Sequence, residues 1–215
     1  MHRGQQDTAR EDEQQMCGRY ELIDGKRVYT RFRVTQSMLP IPDTGDVRPT
    51  QQVFVVQTDH VLSLMKWGLV PAWAKDPRIG SKMINARAEG IESKPSFKRP
   101  LRFQRCLIPA SAFFEWKGNP GAKVKYRIAR KDGELFGFAG LYESWRDPSG
   151  DGELATCSII TTQPNAVVAP IHNRMPVILL PEDEERWLDP DMTEPEAIVS
   201  LLRPYPADLI TASPT

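Results

Sequence analysis

Apolar positions in this chain come in short runs that prolines and polar turns keep interrupting. The runs at 53–56, 61–65, 106–108, 124–129, 135–141, 156–161 and 177–180 predict strands. Between 124–129 and 135–141 stands Lys131-Asp132-Gly133-Glu134. An Asp-Gly pair between alternating runs predicts a β-hairpin. Helical spacing occurs at 22–33, 165–171, 182–188 and 194–203, the last opened by Thr193 with Glu196 three residues on, the pattern of a capping box. Gly137 and Gly140 inside a strand run predict bends or bulges. Many strands followed by late helices predict an α+β fold: a single domain with a mostly antiparallel, barrel-like β core and flanking short helices.

A length of 215 residues fits one domain and buries a sizeable core without disulfides or metals. Residues 1–16 are polar, with no apolar core of the kind a secretory signal needs, and read as a disordered leader ahead of a domain spanning 17–215. The leader is an over-extended start before Met16, a segment cut away after translation, or a retained extension. Three scattered cysteines (Cys17, Cys106, Cys157) make neither a disulfide framework nor a zinc site and suit a reducing cytoplasm. No run approaches the ~20 apolar residues that span a bilayer. No metal or organic cofactor is implied, and a monomer is the simplest assembly.

The formal net charge is zero, which excludes bulk attraction to nucleic acid. Local clustering is another matter. Seven bases between Lys82 and Arg105 face only Glu89 and Glu92, whereas residues 181–196 carry eight acids and one base. These runs are either two solvated faces or a cationic groove with an acidic region turned away from it.

Five segments carry chemistry. Cys17-Gly18-Arg19-Tyr20 follows Met16, and a cysteine with a free amine beside its thiol traps aldehydes: the amine forms an imine and the sulfur closes a thiazolidine ring. Trp67 and Trp73 flank a Gly/Pro turn; Trp67 reads as core, while Trp73 is core or a base-stacking platform. Asn85, Arg87 and Glu89 share one face of a strand, as a solvated edge or a site lining. Glu115 sits in the aromatic run Ala112–Trp116, either pointing outward or buried with a raised pKa. His172 and Arg174 belong to His172-Asn173-Arg174-Met175-Pro176; a lone histidine is as a rule structural, and Arg174 could hold a phosphate.

Taken in order, Met-Cys-Gly-Arg-aromatic, Pro49-Thr50, Trp-Gly-x-x-Pro-x-Trp, Asn-Ala-Arg-x-Glu, Phe-x-Glu-Trp and His-x-Arg-Met-Pro resemble the SOS-response-associated peptidase family, abasic-site sensors of single-stranded DNA. The resemblance covers nearly all of 17–203. It implies a fused, barrel-like β core and an N-terminal Cys17 that forms a thiazolidine crosslink with the sugar aldehyde. It implies catalytic roles for Asn85, Glu115 and His172, phosphate contacts for Arg19, Arg87 and Arg174, and Thr161 near the site. Pro49, Trp73 and Lys98 complete the expected DNA-binding set, and Arg19 and Arg87 are expected to lower the Cys17 thiol pKa. The partner implied is single-stranded DNA with abasic sites, bound in the cytoplasm at the nucleoid. The chain departs from the pattern in three ways: its cysteine is not second, Arg48 replaces the usual Ala before Pro49, and the usual terminal strand is missing. Three functions follow: a self-crosslinking DNA-repair enzyme with lyase-like imine chemistry, an N-terminal-nucleophile (auto)peptidase, and a non-catalytic single-strand binder.

Overall fold

The computed structural model describes residues 17–36, 39–119, 121–148, 150 and 152–215; the polar leader at 1–16 lies outside the described residues. In chain order the strands are β1 (Tyr20–Leu22), β2 (Thr44–Val47), β3 (Gln52–Val56), β4 (Leu62–Trp67), β5 (Asn85–Arg87), β6 (Arg105–Ala110), β7 (Ala112–Lys117), β8 (Val124–Arg130), β9 (Phe136–Arg146), β10 (Glu153–Thr162), β11 (Met175–Pro176) and β12 (Ile210–Pro214). The helices are α1 (Arg27–Arg31), α2 (Lys98–Phe103), α3 (Pro181–Leu188) and α4 (Pro195–Val199). The result is the α+β domain with a barrel-like β core that the strand and helix order predicts.

Strands β10, β4, β3, β6 and β9 follow one another, and β9 pairs back onto β10, so the five close into a ring. Closure removes free edges, which open sheets must otherwise shield. The ring's walls alternate. Cys106, Ile108, Phe136, Phe138, Cys157 and Ile159 pack together with Tyr20, Trp67, Phe113 and Ile128. The intervening Leu107, Ala139, Leu141 and Ile160 pack with Val28 of α1, Leu101 of α2, Trp187 of α3 and Ile198 of α4. One period-2 pattern thus feeds two cores. Fully burying one such large apolar side chain contributes about 1.5–3 kcal/mol. Trp67 is fully buried, as expected of a core residue, and its Nε1 donates to Ile84 O at 2.8 Å.

The second sheet has the order β12-β8-β7-β1-β2. Its outer edge is Ile210–Pro214, antiparallel to β8, so this chain does have a terminal strand, contrary to the sequence expectation. The predicted hairpin of 124–129 with 135–141 does not form. The Asp-Gly turn is present, with Gly133 at φ +72° and its N–H on Arg130 O, but β8 pairs with β7 and β12, and β9 with β6 and β10. The turn hands the chain from one sheet to the other. Each strand has a longer ladder elsewhere, and turn chemistry fixes a bend but not a partner.

Other expectations need correction. Gly137 and Gly140 lie in regular register opposite Pro109 and Cys106, without a bulge. They are small because a Cβ would crowd Leu107 at 3.1 Å or Cys106 Sγ at 2.9 Å. Of 22–33, only Arg27–Arg31 is helical, since Tyr20–Leu22 joins the second sheet. Residues 165–171 form turns in which Asn165 Oδ1 accepts from Val167 and Val168 N–H, a side-chain substitute for helical bonds. The helix in 194–203 shortens to Pro195–Val199; no side chain caps it, so the Thr193 capping box is absent. Residues 177–180 carry only an isolated bridge, but Val177 bonds both Ile160 O and Ala139 N–H, lacing β10 to β9.

Gly68 and Gly80 meet backbone to backbone. A methyl on Gly68 would lie 2.7 Å from Gly80 O, and one on Gly80 2.5 Å from Gly68 O. The loop carrying Trp73 runs between them.

Candidate active site

β1 runs antiparallel to β7, with Tyr20 opposite Phe113 and Phe114 N–H donating to Arg19 O at 2.9 Å. Continued by a few residues, that pairing brings Cys17 to Glu115. The Cys17 N–H donates to Glu115 Oε1 at 2.9 Å, between residues 98 apart in sequence. Both residues are buried, at 4% and 3% exposure, so this contact is shielded from bulk water.

The electrostatics follow from that burial. Burial pushes the Glu115 carboxyl above its ordinary value, and His172 and the Cys17 contacts oppose the rise. Burial also pushes the Cys17 thiol well up; Glu115 adds to this and the Arg174 guanidinium opposes it. The expectation that arginines lower this thiol is therefore corrected. Arg19 is turned to Asp46, and Arg87 is exposed on β5. The pair is best described as a neutral thiol beside a proton acceptor, rather than a preformed thiolate.

His172 comes from the turn region before β11. The Arg174 N–H donates to its Nδ1 at 3.1 Å. The Arg174 carbonyl oxygen lies 3.3 Å from the same ring nitrogen, so both backbone groups of Arg174 hold the imidazole in place. An open cleft of about 400 Å³ is lined by Gly18, Glu115, Trp116 and His172, by the cations Arg19, Arg48 and Lys123, and by Pro49. Arg19 sits 5.7 Å from the Trp116 ring centroid, a cation–π contact.

A second group adjoins. β5 pairs in parallel with β10, placing Asn85 opposite Ile159 and Arg87 opposite Thr161. Ala86 turns inward while Asn85, Arg87 and Glu89 stay at least partly open, the shared face that their spacing predicts. Arg174 is buried. Its Nη1 and Nη2 donate to Glu89 at 2.7 and 2.8 Å, and Nη2 also donates to Thr161 O at 2.7 Å. That guanidinium draws the Glu89 pKa down to about 2.

The structure thus brings Cys17, Glu115, His172, Arg19 and Pro49 around one cleft, with Arg174 close enough to act on the Cys17 thiol. Lys98 and Trp73 are exposed but do not line that cleft. Trp73, 58% exposed, stands beside Ala74, whose carbonyl is held by Trp145 Nε1 at 2.7 Å. Sequence reasoning missed Asp46 and Lys123. Asp46 carries one signal, its place two residues before Arg48, the same-face spacing of an extended chain. Among the described residues no group of three His, Cys, Asp or Glu could hold a metal ion, and no helix is long and apolar enough to cross a membrane.

The site is thus a buried carboxyl in contact with the backbone nitrogen of a buried cysteine, behind a cation-lined opening. The comparisons with known proteins give the family. The profile described as SOS response associated peptidase (SRAP) matches residues 16–215, and the chain belongs to this family. It is 47% identical over 201 residues to the abasic site processing protein YoqW of Bacillus subtilis, covering 90% of this chain and 89% of that one. It is 34% identical to the abasic site processing protein HMCES of Gallus gallus, over 68% of this chain and 51% of that longer one. A crystal structure of a protein from Bacteroides thetaiotaomicron superimposes with a TM-score of 0.85 at 31% identity, covering 92% of this chain and 91% of that one.

Proposed function

We propose that this protein processes abasic sites in single-stranded DNA by forming a covalent thiazolidine crosslink through Cys17. The observation that carries the reading is the 2.9 Å contact between the Cys17 nitrogen and Glu115 at a cation-lined cleft. Two findings support it. Relatives covering nine-tenths of the chain are named abasic site processing proteins, and the family match opens at Met16, so Cys17 stands second within it. The chemistry requires that the bond before Cys17 be absent, leaving a free amine.

The steps then balance as follows. Glu115 takes the proton of the C1 hydroxyl as the sugar ring opens, and protonated His172 gives a proton to the departing ring oxygen. The Cys17 amine adds to the aldehyde carbon. One amine proton moves to the adduct oxygen, Glu115 returns its proton to that hydroxyl, which leaves as water, and the remaining nitrogen proton restores the one His172 gave, so an imine remains. The thiol adds to the imine carbon, its proton passing to nitrogen by way of Glu115, and the ring closes. Closure is intramolecular, which is why a neutral thiol suffices. An α-amine suits the first addition: near pH 7.5 roughly a third is neutral, against about 0.1% of a lysine. Asn85 orients the amine or the sugar. Arg19, Arg87 and Arg174 hold phosphates, Pro49, Trp73 and Lys98 guide the strand, and buried Thr161 acts through the Arg174 side chain that it holds.

Incubation with an abasic single-stranded oligonucleotide is expected to give a denaturation-resistant band that Cys17→Ala removes. An undiminished band from Cys17→Ala sinks the reading.

The same contact favours a second activity. In self-cleavage the Cys17 thiol adds to the Met16 carbonyl carbon, the Cys17 nitrogen leaves with a proton from Glu115, and water hydrolyses the thioester so formed, releasing residues 1–16. Intact mass is expected to show residues 1–16 lost from the wild type and kept in Glu115→Ala. Loss from both excludes self-processing.

A further inference from the structure

The cations of the cleft are not independent of one another. Arg19 donates through Nε to Asp46 Oδ1 at 2.5 Å and through Nη2 to Oδ2 at 2.6 Å. Arg48 donates through Nε and Nη2 to that same Oδ2 at 2.9 and 2.7 Å. Two guanidinium forks therefore converge on one carboxylate. Asp46 is held well below the ordinary carboxylate range by both arginines, so it stays ionised and the trio carries a net single positive charge. Groups that meet on one carboxylate are also close enough to share one tetrahedral phosphate, whose oxygens accept the same paired N–H bonds. Tethering both side chains beforehand removes part of the ordering cost that two long, mobile arginines would otherwise bear on binding. Both line the cleft onto which Glu115 and His172 open.

We propose that Arg48 is a further phosphate-contacting residue of this protein: with Arg19, and organised by Asp46, it forms a two-guanidinium seat for one backbone phosphate next to the nucleotide presented to Cys17. The inference rests on the DNA reading above and deepens it.

An intact single-stranded oligonucleotide has the phosphates but no aldehyde, so its binding is read without any covalent step. The logarithm of its affinity should fall with the logarithm of salt less steeply in Arg48→Ala than in wild type, by about 0.7, the release from one single-strand phosphate contact. Between about 50 and 200 mM salt, wild type should then lose about 2.5-fold more affinity than the variant. Arg48→Lys, which keeps the charge, should restore the slope. A scan replacing single phosphates by neutral methylphosphonate should find one position that weakens wild type more than it weakens Arg48→Ala, which keeps Arg19. Equal slopes for wild type and Arg48→Ala, or a scan in which every position weakens both proteins alike, overturns the seat. The two readings separate cleanly: a reduced slope without any crosslink on abasic strand removes the covalent chemistry and keeps the seat, whereas normal crosslinking with an unchanged slope removes the seat alone.

Discussion

Glu115 and Glu184 are both buried carboxyls, and burial raises the pKa of each, yet they are provided for differently. Glu184 on α3 receives Arg31 of α1 through two parallel bonds of 2.7 and 2.8 Å, and Arg31 also donates to Leu135 O at 3.1 Å. A full guanidinium compensates it, and the pair ties two helices to the ring. Glu115 has no such partner among the described contacts. It meets a backbone nitrogen, and His172 and the Cys17 thiol act on it from nearby. A carboxyl compensated by an arginine is held in one charge state. One compensated only by groups that themselves exchange protons can change state without breaking the fold. Similar burial therefore marks an anchor in one place and, in the proposed mechanism, a proton carrier in the other.

The largest effect that tests this contrast is kinetic. Glu115→Gln keeps the shape and the acceptor oxygen but cannot move a proton, and should slow crosslinking about 10²–10⁴-fold. Glu184→Gln should crosslink at the wild-type rate. If both variants slow alike in single-turnover assays, the distinction collapses. The next effect is on stability. Glu184→Ala leaves Arg31 without its counter-charge and should cost about 2–3 kcal/mol in urea unfolding, reduced from the fully buried case because Arg31 keeps 17% exposure.

Smaller effects sharpen the comparison. Glu89→Gln removes the carboxylate of buried Arg174 and should cost about 1–2 kcal/mol at neutral pH, after screening of the half-exposed Glu89. Because the Glu89 pKa is lowered to about 2, that contribution is complete above the unfolded value of about 4.3 and fades as pH falls through about 2, where variant and wild type should converge. Glu115 has the opposite sign. Its folded pKa is raised, so its own contribution to stability is fullest below about 4.3 and declines as pH climbs through the folded value. Glu115→Gln has no such decline. Its Tm should match wild type in acid and exceed it toward alkaline pH. A Tm gap that does not vary with pH would contradict the raised pKa.

The ring's strands were legible because their apolar residues alternate and each face has a core to fill: Cys106 and Ile108 to one side, Leu107 to the other. Partners were not legible. Lys131-Asp132-Gly133-Glu134 has all the features of a hairpin turn, yet the two strands it joins find better ladders elsewhere, a choice made by residues far away in sequence. The meeting of Cys17 with Glu115 was foreshadowed by the order of the motifs, but its geometry depends on β1 entering the second sheet, and three residues are too few to signal a strand. The raised thiol pKa was missed for a related reason. The count of nearby arginines was visible, whereas Asp46 drawing Arg19 aside and the burial of Cys17 were not. Lys123 left no local mark at all.

The paired glycines at 68 and 80 divide the intervening loop into two kinds of position. Ala72, Trp73, Lys75 and Asp76 project into solvent at its crown, where replacement or lengthening disturbs little else. At the base, one added carbon on either glycine would wedge apart two main-chain segments that touch. What this hoop offers to a ligand can therefore diversify at its crown, while its anchorage admits almost no substitution.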